Sequence, residues 1–201
     1  MPAILRMSGL QLRMLFLASK SPRRRELLTQ LGLGHSVLDV DVHEAPAPGE
    51  QPEDYVRRLA REKAGAGWIE VASVPKAVVL AADTEVVLDG VIFGKPADEE
   101  DAVRQLLLLS GRTHQVLTAL CAMDAGQEHE ALSTSEVRFS ALDEAAARRY
   151  VASGEAMGKA GAYGIQGRAA GFIEHIAGSY SGVMGLPLFE TARVLAHFRL
   201  G

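Results

Sequence analysis

Apolar positions along the chain come in two rhythms, short continuous runs and stripes at helical spacing, and their alternation predicts an α/β protein. The run Leu15-Phe16-Leu17-Ala18 reads as a strand, and Leu27, Leu28 and Leu31 as the inner face of a helix capped by Ser21, opened by Pro22 and stopped by Gly32. Residues 36–42 alternate weakly, as a strand would, and lead into a proline-rich loop over 43–50 that holds Glu44 at the strand's end. A helix is predicted over 52–68, with Val56, Leu59, Ala60 and Ala64 on its stripe. The continuous run 77–82 reads as a strand buried on both faces and ending at Asp83-Thr84. Residues 85–93 follow as strand, Asp89-Gly90 turn and strand. Asp98 caps a helix reaching Ser110, strands are predicted over 113–123 and 133–139, and a helix over 143–153. A strand over 172–176 precedes a last helix that packs through Leu188, Ala192, Leu195 and Phe198.

Several polar residues interrupt this pattern where chemistry could use them. Arg23, Arg24 and Arg25 crowd the first turn of a helix, against the positive end of its dipole, so an anion is expected there unless the turn is simply solvated. Forked guanidinium groups beside the Ser19 and Ser21 hydroxyls match phosphate oxygens. Lys63 sits on the apolar stripe of its helix, where it either snorkels to solvent or carries its ammonium to a buried anion. Asp83 at the carboxyl end of a central strand is where α/β proteins meet ligands and metals. Gly94-Lys95-Pro96 lacks the spacing of a Walker A loop, which leaves Lys95 as a point charge for phosphate. In the glycine-rich stretch 158–167, Tyr163 is placed to stack on a base and Gln166 to pair with a base edge; the alternative is a glycine-rich hairpin around a core tyrosine.

Composition narrows the classes. With 201 residues, 48% of them hydrophobic and 23% charged, the chain suits one substantial core. Residues 1–13 read as a disordered extension, unless the true start is Met7 or Met14, and residues 14–201 as one domain. No apolar run approaches the roughly 20 residues that span a bilayer, and no secretory signal is read at the start. A single cysteine, Cys121, predicts a cytoplasmic protein with a small core residue and no disulfide. The net charge of −4 disfavours a general nucleic-acid binder, and six histidines without paired ligand spacing disfavour zinc.

Seven motifs occur in order: Ser19-Lys20-Ser21-Pro22-Arg23-Arg24 with Glu26-Leu27-Leu28, Arg61-Glu62-Lys63-Ala64, Ala82-Asp83-Thr84, Gly94-Lys95-Pro96, Ser110-Gly111 with His114, Val116 and Thr118, Gly161 with Tyr163 and Ile165-Gln166-Gly167, and Gly185-Leu186-Pro187. Together they resemble the Maf family of nucleoside triphosphate pyrophosphatases. The resemblance implies an elongated mixed β-sheet flanked by helices in two lobes around a central cleft, shared with inosine triphosphate pyrophosphatases. It also implies a homodimer and a divalent cation, Mg²⁺ or Mn²⁺. Asp83 is similar to the family's catalytic acid and Glu44 to its metal-holding partner, both being implied as metal ligands. Ser19, Arg23, Arg24, Lys63 and Lys95 fall on triphosphate positions, and Arg24, Thr84 and Gln166 on specificity positions. Gln166 in its glycine-rich setting is similar to the branch acting on dTTP and UTP, with 7-methyl-GTP as the alternative substrate and a non-catalytic nucleotide-binding regulator of cell division as the alternative function. Glu85, where the family usually has an apolar residue, and Gly182, where asparagine is common, depart from the pattern.

Overall fold

The computed structural model describes residues 13–200, so the expectation for residues 1–12 lies outside it. Arg13, expected to belong to the extension, is instead tied to the fold by an ion pair with Asp124. Strand β1 (Met14–Ala18) leads through Ser19-Lys20-Ser21 into α1 (Pro22–Gln30), and β2 (His35–Leu38) is followed by a long loop and α2 (Pro52–Val71). Then come β3 (Ala77–Leu88), β4 (Val91–Phe93), α3 (Glu99–Leu109), β5 (Thr113–Met123), β6 (Glu128–Phe139) and α4 (Glu144–Val151). Two 3₁₀ turns, β7 (Ile173–Ala177), α5 (Tyr180–Met184) and α6 (Leu188–His197) complete the chain.

The strands form one mixed sheet in the order β2-β1-β3-β5-β6-β7, with β4 also pairing β3. β1 runs parallel to β2 and β3, and the remaining pairs are antiparallel. Side-chain alternation along β3 divides the core. Val79 and Ala81 pack with Val56, Ala60 and Ala64 of α2. On the opposite face Val78, Leu80 and Ala82 pack with Leu27 and Leu28 of α1 and Val194, Leu195 and Phe198 of α6. Further along, Val86 and Leu88 join a second core built on α3 and α4. Ala192, assigned to the inner face of α6 by its spacing, is exposed, because the buried stripe runs through Thr191, Val194, Leu195 and Phe198.

A gap in the sheet separates the two halves. β1 accompanies β3 only as far as the pair Leu17↔Leu80, and β4 takes up the same edge only at Phe93↔Val86. Residues 81–85 therefore pair on one side alone, with β5, from Ala81↔Cys121 to Glu85↔Leu117. Their other edge faces a cleft of about 860 Å³ that runs between the two halves. This corrects the sequence reading of Asp83 as a strand terminus: β3 continues through it to Leu88, because β5 pairs with it without a break from Val79 to Val87.

Candidate active site

Three elements deliver charged groups into the gap. The first is the turn from β1 to α1. The Ser21 hydroxyl caps the helix by accepting from the Arg24 N–H at 3.5 Å, and Pro22 fills the first helical position. The Ser19 hydroxyl oxygen accepts from the Ser21 N–H at 3.2 Å and from Arg24 Nη1 at 3.4 Å, so its own proton remains to be donated. Ser21 is thus used by the loop itself, while Ser19 keeps a donor for the cleft.

Arg24 is anchored on neutral groups. Its Nε donates to the Gly185 carbonyl at 2.8 Å and its Nη2 to Thr84 Oγ1 at 3.1 Å. Among the described residues no carboxylate forms an ion pair with Arg23 or Arg24, and burial lowers the pKa of both below the ordinary arginine value. Two partly desolvated guanidinium groups with no carboxylate in direct contact among the described residues make a site for an external anion. Gly185 offers its carbonyl from the left-handed position, φ +115°, that ends the short helix α5 and favours glycine.

The second contribution comes from α2. Alternation places Asp83 and Glu85 on the face of β3 that looks toward this helix, and Lys63 answers them. Its ammonium lies 2.6 Å from Asp83 Oδ1 and 2.6 Å from Glu44 Oε1. Of the two outcomes open for Lys63, delivery to a buried anion is the one found. Glu44, in the loop after β2, also receives Lys95 Nζ at 2.5 Å from the segment after β4. Burial by itself would raise the Glu44 carboxyl, but its hydrogen bonds to Lys63 and Lys95 outweigh that and hold it at about 2.

The acids are only partly satisfied. Asp83 is 4% exposed and its Oδ2 has no hydrogen-bond partner; Glu85 is 8% exposed and its Oε2 has none either. Burial, with Asp83 and Glu44 close by, pushes the Glu85 carboxyl up to about 8. The departure at Glu85 therefore turns into the cleft and away from solvent. An orphaned buried carboxylate oxygen is costly unless a cation or a donor meets it.

The third contribution is the stretch 158–167 on the far wall. Gln166 is exposed and lines the cleft. Tyr163 lines the cleft, and of the two readings open for it the core tyrosine is the one that its packing matches. It is 6% exposed, its hydroxyl lies 2.8 Å from His114 Nε2, and its ring stands edge-on to Phe139 at 4.8 Å. Glycine permits this packing, since Gly161 has φ +66° and a Cβ there would come within 2.9 Å of Val86. Lys159, unremarked in the sequence, also lines the cleft, with its pKa lowered by burial and by Arg23. Its position beside Gly158 in a glycine-rich run was the available signal.

A separate trio, Cys121, Glu128 and Glu130, brings ligand atoms within 4.8 Å of one another. Arg61 Nε donates to both glutamates, at 3.1 and 2.8 Å, and burial pushes the Cys121 thiol up to about 12, so the cluster is already neutralised. Cys121 is the core residue expected.

Among the described residues no helix is long and apolar enough to cross a membrane. A dTTP/UTP pyrophosphatase of Xanthomonas campestris is 56% identical over 187 residues, covering 92% of this chain and 98% of its own. One from Bordetella parapertussis is 54% identical, covering 90% of each, and one from Aromatoleum aromaticum is 54% identical, covering 92% and 95%. Among solved structures, a dITP/XTP pyrophosphatase from Mycobacterium abscessus aligns over 92% of this chain and 94% of its own at a TM-score of 0.40 and 15% identity, a likeness too distant to carry chemistry. The profile of the Maf-like protein family matches residues 14–198. With the acid, the lysines and the arginine-bearing turn meeting in one gap of the sheet, and relatives this similar along nearly its whole length, the chain belongs to the Maf-like protein family.

Proposed function

We propose that this protein hydrolyses dTTP and UTP to the nucleoside monophosphate and pyrophosphate in the cleft between the two halves of the sheet. The observation that carries the reading is the placement of Asp83: one carboxylate oxygen is fixed by Lys63 at 2.6 Å and the other is buried and unpartnered. A carboxylate held so takes a proton from the water that attacks phosphorus, and pyrophosphate leaves. Arg24, fixed by Gly185 and Thr84, keeps further N–H groups for phosphate oxygens; Arg23, Lys95, the Ser19 hydroxyl and the start of α1 add to them. Gln166 reads the base from the opposite wall, its amide matching the alternating donors and acceptors of thymine and uracil. The names of the relatives support the same substrates.

The acids fit a hard divalent cation, since Asp83 Oδ2 and the Glu44 carboxylate form an all-oxygen donor set with an orphaned buried atom. Asp83 and Glu44 would hold Mg²⁺ or Mn²⁺. Bound there, the ion would neutralise triphosphate charge and polarise the phosphoryl group. Operation as a cytoplasmic homodimer belongs to the same proposal.

The test is Asp83→Asn. Lys63 keeps its Glu44 partner in this variant, so the fold should survive while pyrophosphate release from dTTP falls by on the order of 10² to 10⁴. Wild-type turnover by the variant would remove Asp83 from the reaction, and dTDP with phosphate as products of the wild type would contradict the reaction itself.

A further inference from the structure

A chain of hydrogen bonds runs from the cleft into the core. Thr84 on β3 stands directly across from Thr118 on β5 in the register of the sheet, and Thr118 is fully buried. Arg24 Nη2 lies 3.1 Å from Thr84 Oγ1, Thr84 Oγ1 lies 3.0 Å from Thr118 Oγ1, and Thr118 Oγ1 lies 2.8 Å from the Gly182 carbonyl oxygen.

The direction of every proton in this chain follows from what each group can do. A guanidinium only donates, a carbonyl only accepts, and a hydroxyl has one proton and two lone pairs. Two oxygens at 2.8 Å without a proton between them would set lone pair against lone pair, so the Thr118 proton goes to Gly182. Thr118 must then accept from Thr84, which commits the only proton of Thr84. One lone pair of Thr84 takes the Arg24 N–H. The other is what remains for the cleft, which Thr84 lines.

From this we infer that Thr118 is a specificity-determining positioning residue: by taking the proton of Thr84 it leaves Thr84 able only to accept, so the site selects a nucleotide that presents a neutral N–H or O–H donor there. The imino N–H of thymine or uracil is such a donor, whereas the corresponding ring nitrogen of cytosine is an acceptor and meets a lone pair. A sugar hydroxyl is the other neutral donor these substrates carry, and the 3′-hydroxyl is the one that dTTP and UTP share. The inference rests on the pyrophosphatase reading and adds to it a residue that touches no substrate.

The experiment compares kcat/KM for UTP against CTP, and for dTTP against its 3′-deoxy analogue, in the wild type, Thr118→Val and Thr118→Ser. Valine keeps the shape and releases the Thr84 proton, so the hydroxyl is free to turn and donate. One of the two ratios is expected to fall at least about tenfold in Thr118→Val and to recover in Thr118→Ser, with a thermal melt confirming that both fold. A fall in the UTP/CTP ratio identifies the base as the donor, and a fall in the other ratio identifies the sugar. Both ratios within twofold of the wild type would overturn the role of Thr118. Should Thr118→Val fail to fold, Thr84→Val, which removes the acceptor itself, must lose the same ratio, and its retention overturns the inference equally. Absence of turnover in the wild type would instead defeat the pyrophosphatase reading, and this inference with it.

Discussion

Lys63 Nζ lies 2.6 Å from Asp83 Oδ1, and the two side chains are 12% and 6% exposed, so the ammonium and the acid are buried as a pair. A buried pair that loses one member leaves an uncompensated charge, at a cost of about 3–5 kcal/mol. Lys63→Met is therefore expected to destabilise the metal-free protein by about 3 kcal/mol in urea titrations. Lys63 also occupies the carboxylates assigned to the cation, so added Mn²⁺ should raise the Tm of the variant more than that of the wild type. Equal shifts would show that lysine and cation do not share those oxygens.

Arg24→Lys tests whether the fork matters or only the charge. A lysine cannot reach the Gly185 carbonyl and Thr84 together, as the guanidinium does at 2.8 and 3.1 Å. The KM for dTTP should rise by roughly tenfold or more, with the far-ultraviolet spectrum unchanged. An unaltered KM would mean that a point charge suffices.

His114 gives the fold an acid sensitivity of its own. It is 2% exposed, between Phe139 and Tyr163, and burial lowers its pKa to about 4. Below the unfolded value near 6.5 the unfolded chain binds a proton that the native state refuses, so stability falls as pH drops from about 6.5 to 4 and is fully present above. The loss amounts to about 3 kcal/mol at most. In His114→Gln this contribution disappears, and the stability difference from the wild type should shrink with falling pH across that window and stay flat above pH 7. A constant difference across the window would contradict the burial argument.

Gly161→Ala should cost about 1–3 kcal/mol, because alanine would take a left-handed φ and press on Val86. Urea unfolding would measure it, and a neutral result would mean that the wall of the cleft yields.

Local punctuation made much of this legible. Ser21-Pro22 and Gly32 delimit α1, the Asp89-Gly90 turn joins β3 to β4, and Asp98 caps α3 by accepting from the Asp101 N–H. Lys63 stood out because a charge on an apolar stripe needs a partner, and Asp83 and Glu44 are that partner. What the residues did not disclose depends on pairing between distant segments. Asp83 after six apolar residues looks like a strand end, and only the register with β5 shows the strand continuing past it. The same register creates the gap, since β1 stops at Leu17↔Leu80. Stacking and core packing both stayed open for Tyr163, because glycine spacing says nothing of His114, 49 positions away. Thr118, an ordinary strand residue by pattern, gains its role from Thr84 and Gly182.

The central claim is tested most directly by pyrophosphate release from dTTP, UTP, CTP, GTP and 7-methyl-GTP, with and without Mg²⁺ or Mn²⁺. Metal-dependent release of pyrophosphate, fastest from dTTP and UTP, is the predicted result. Turnover of 7-methyl-GTP alone would contradict the reading of Gln166, and binding of dTTP without release of pyrophosphate under any of these conditions would contradict the enzyme.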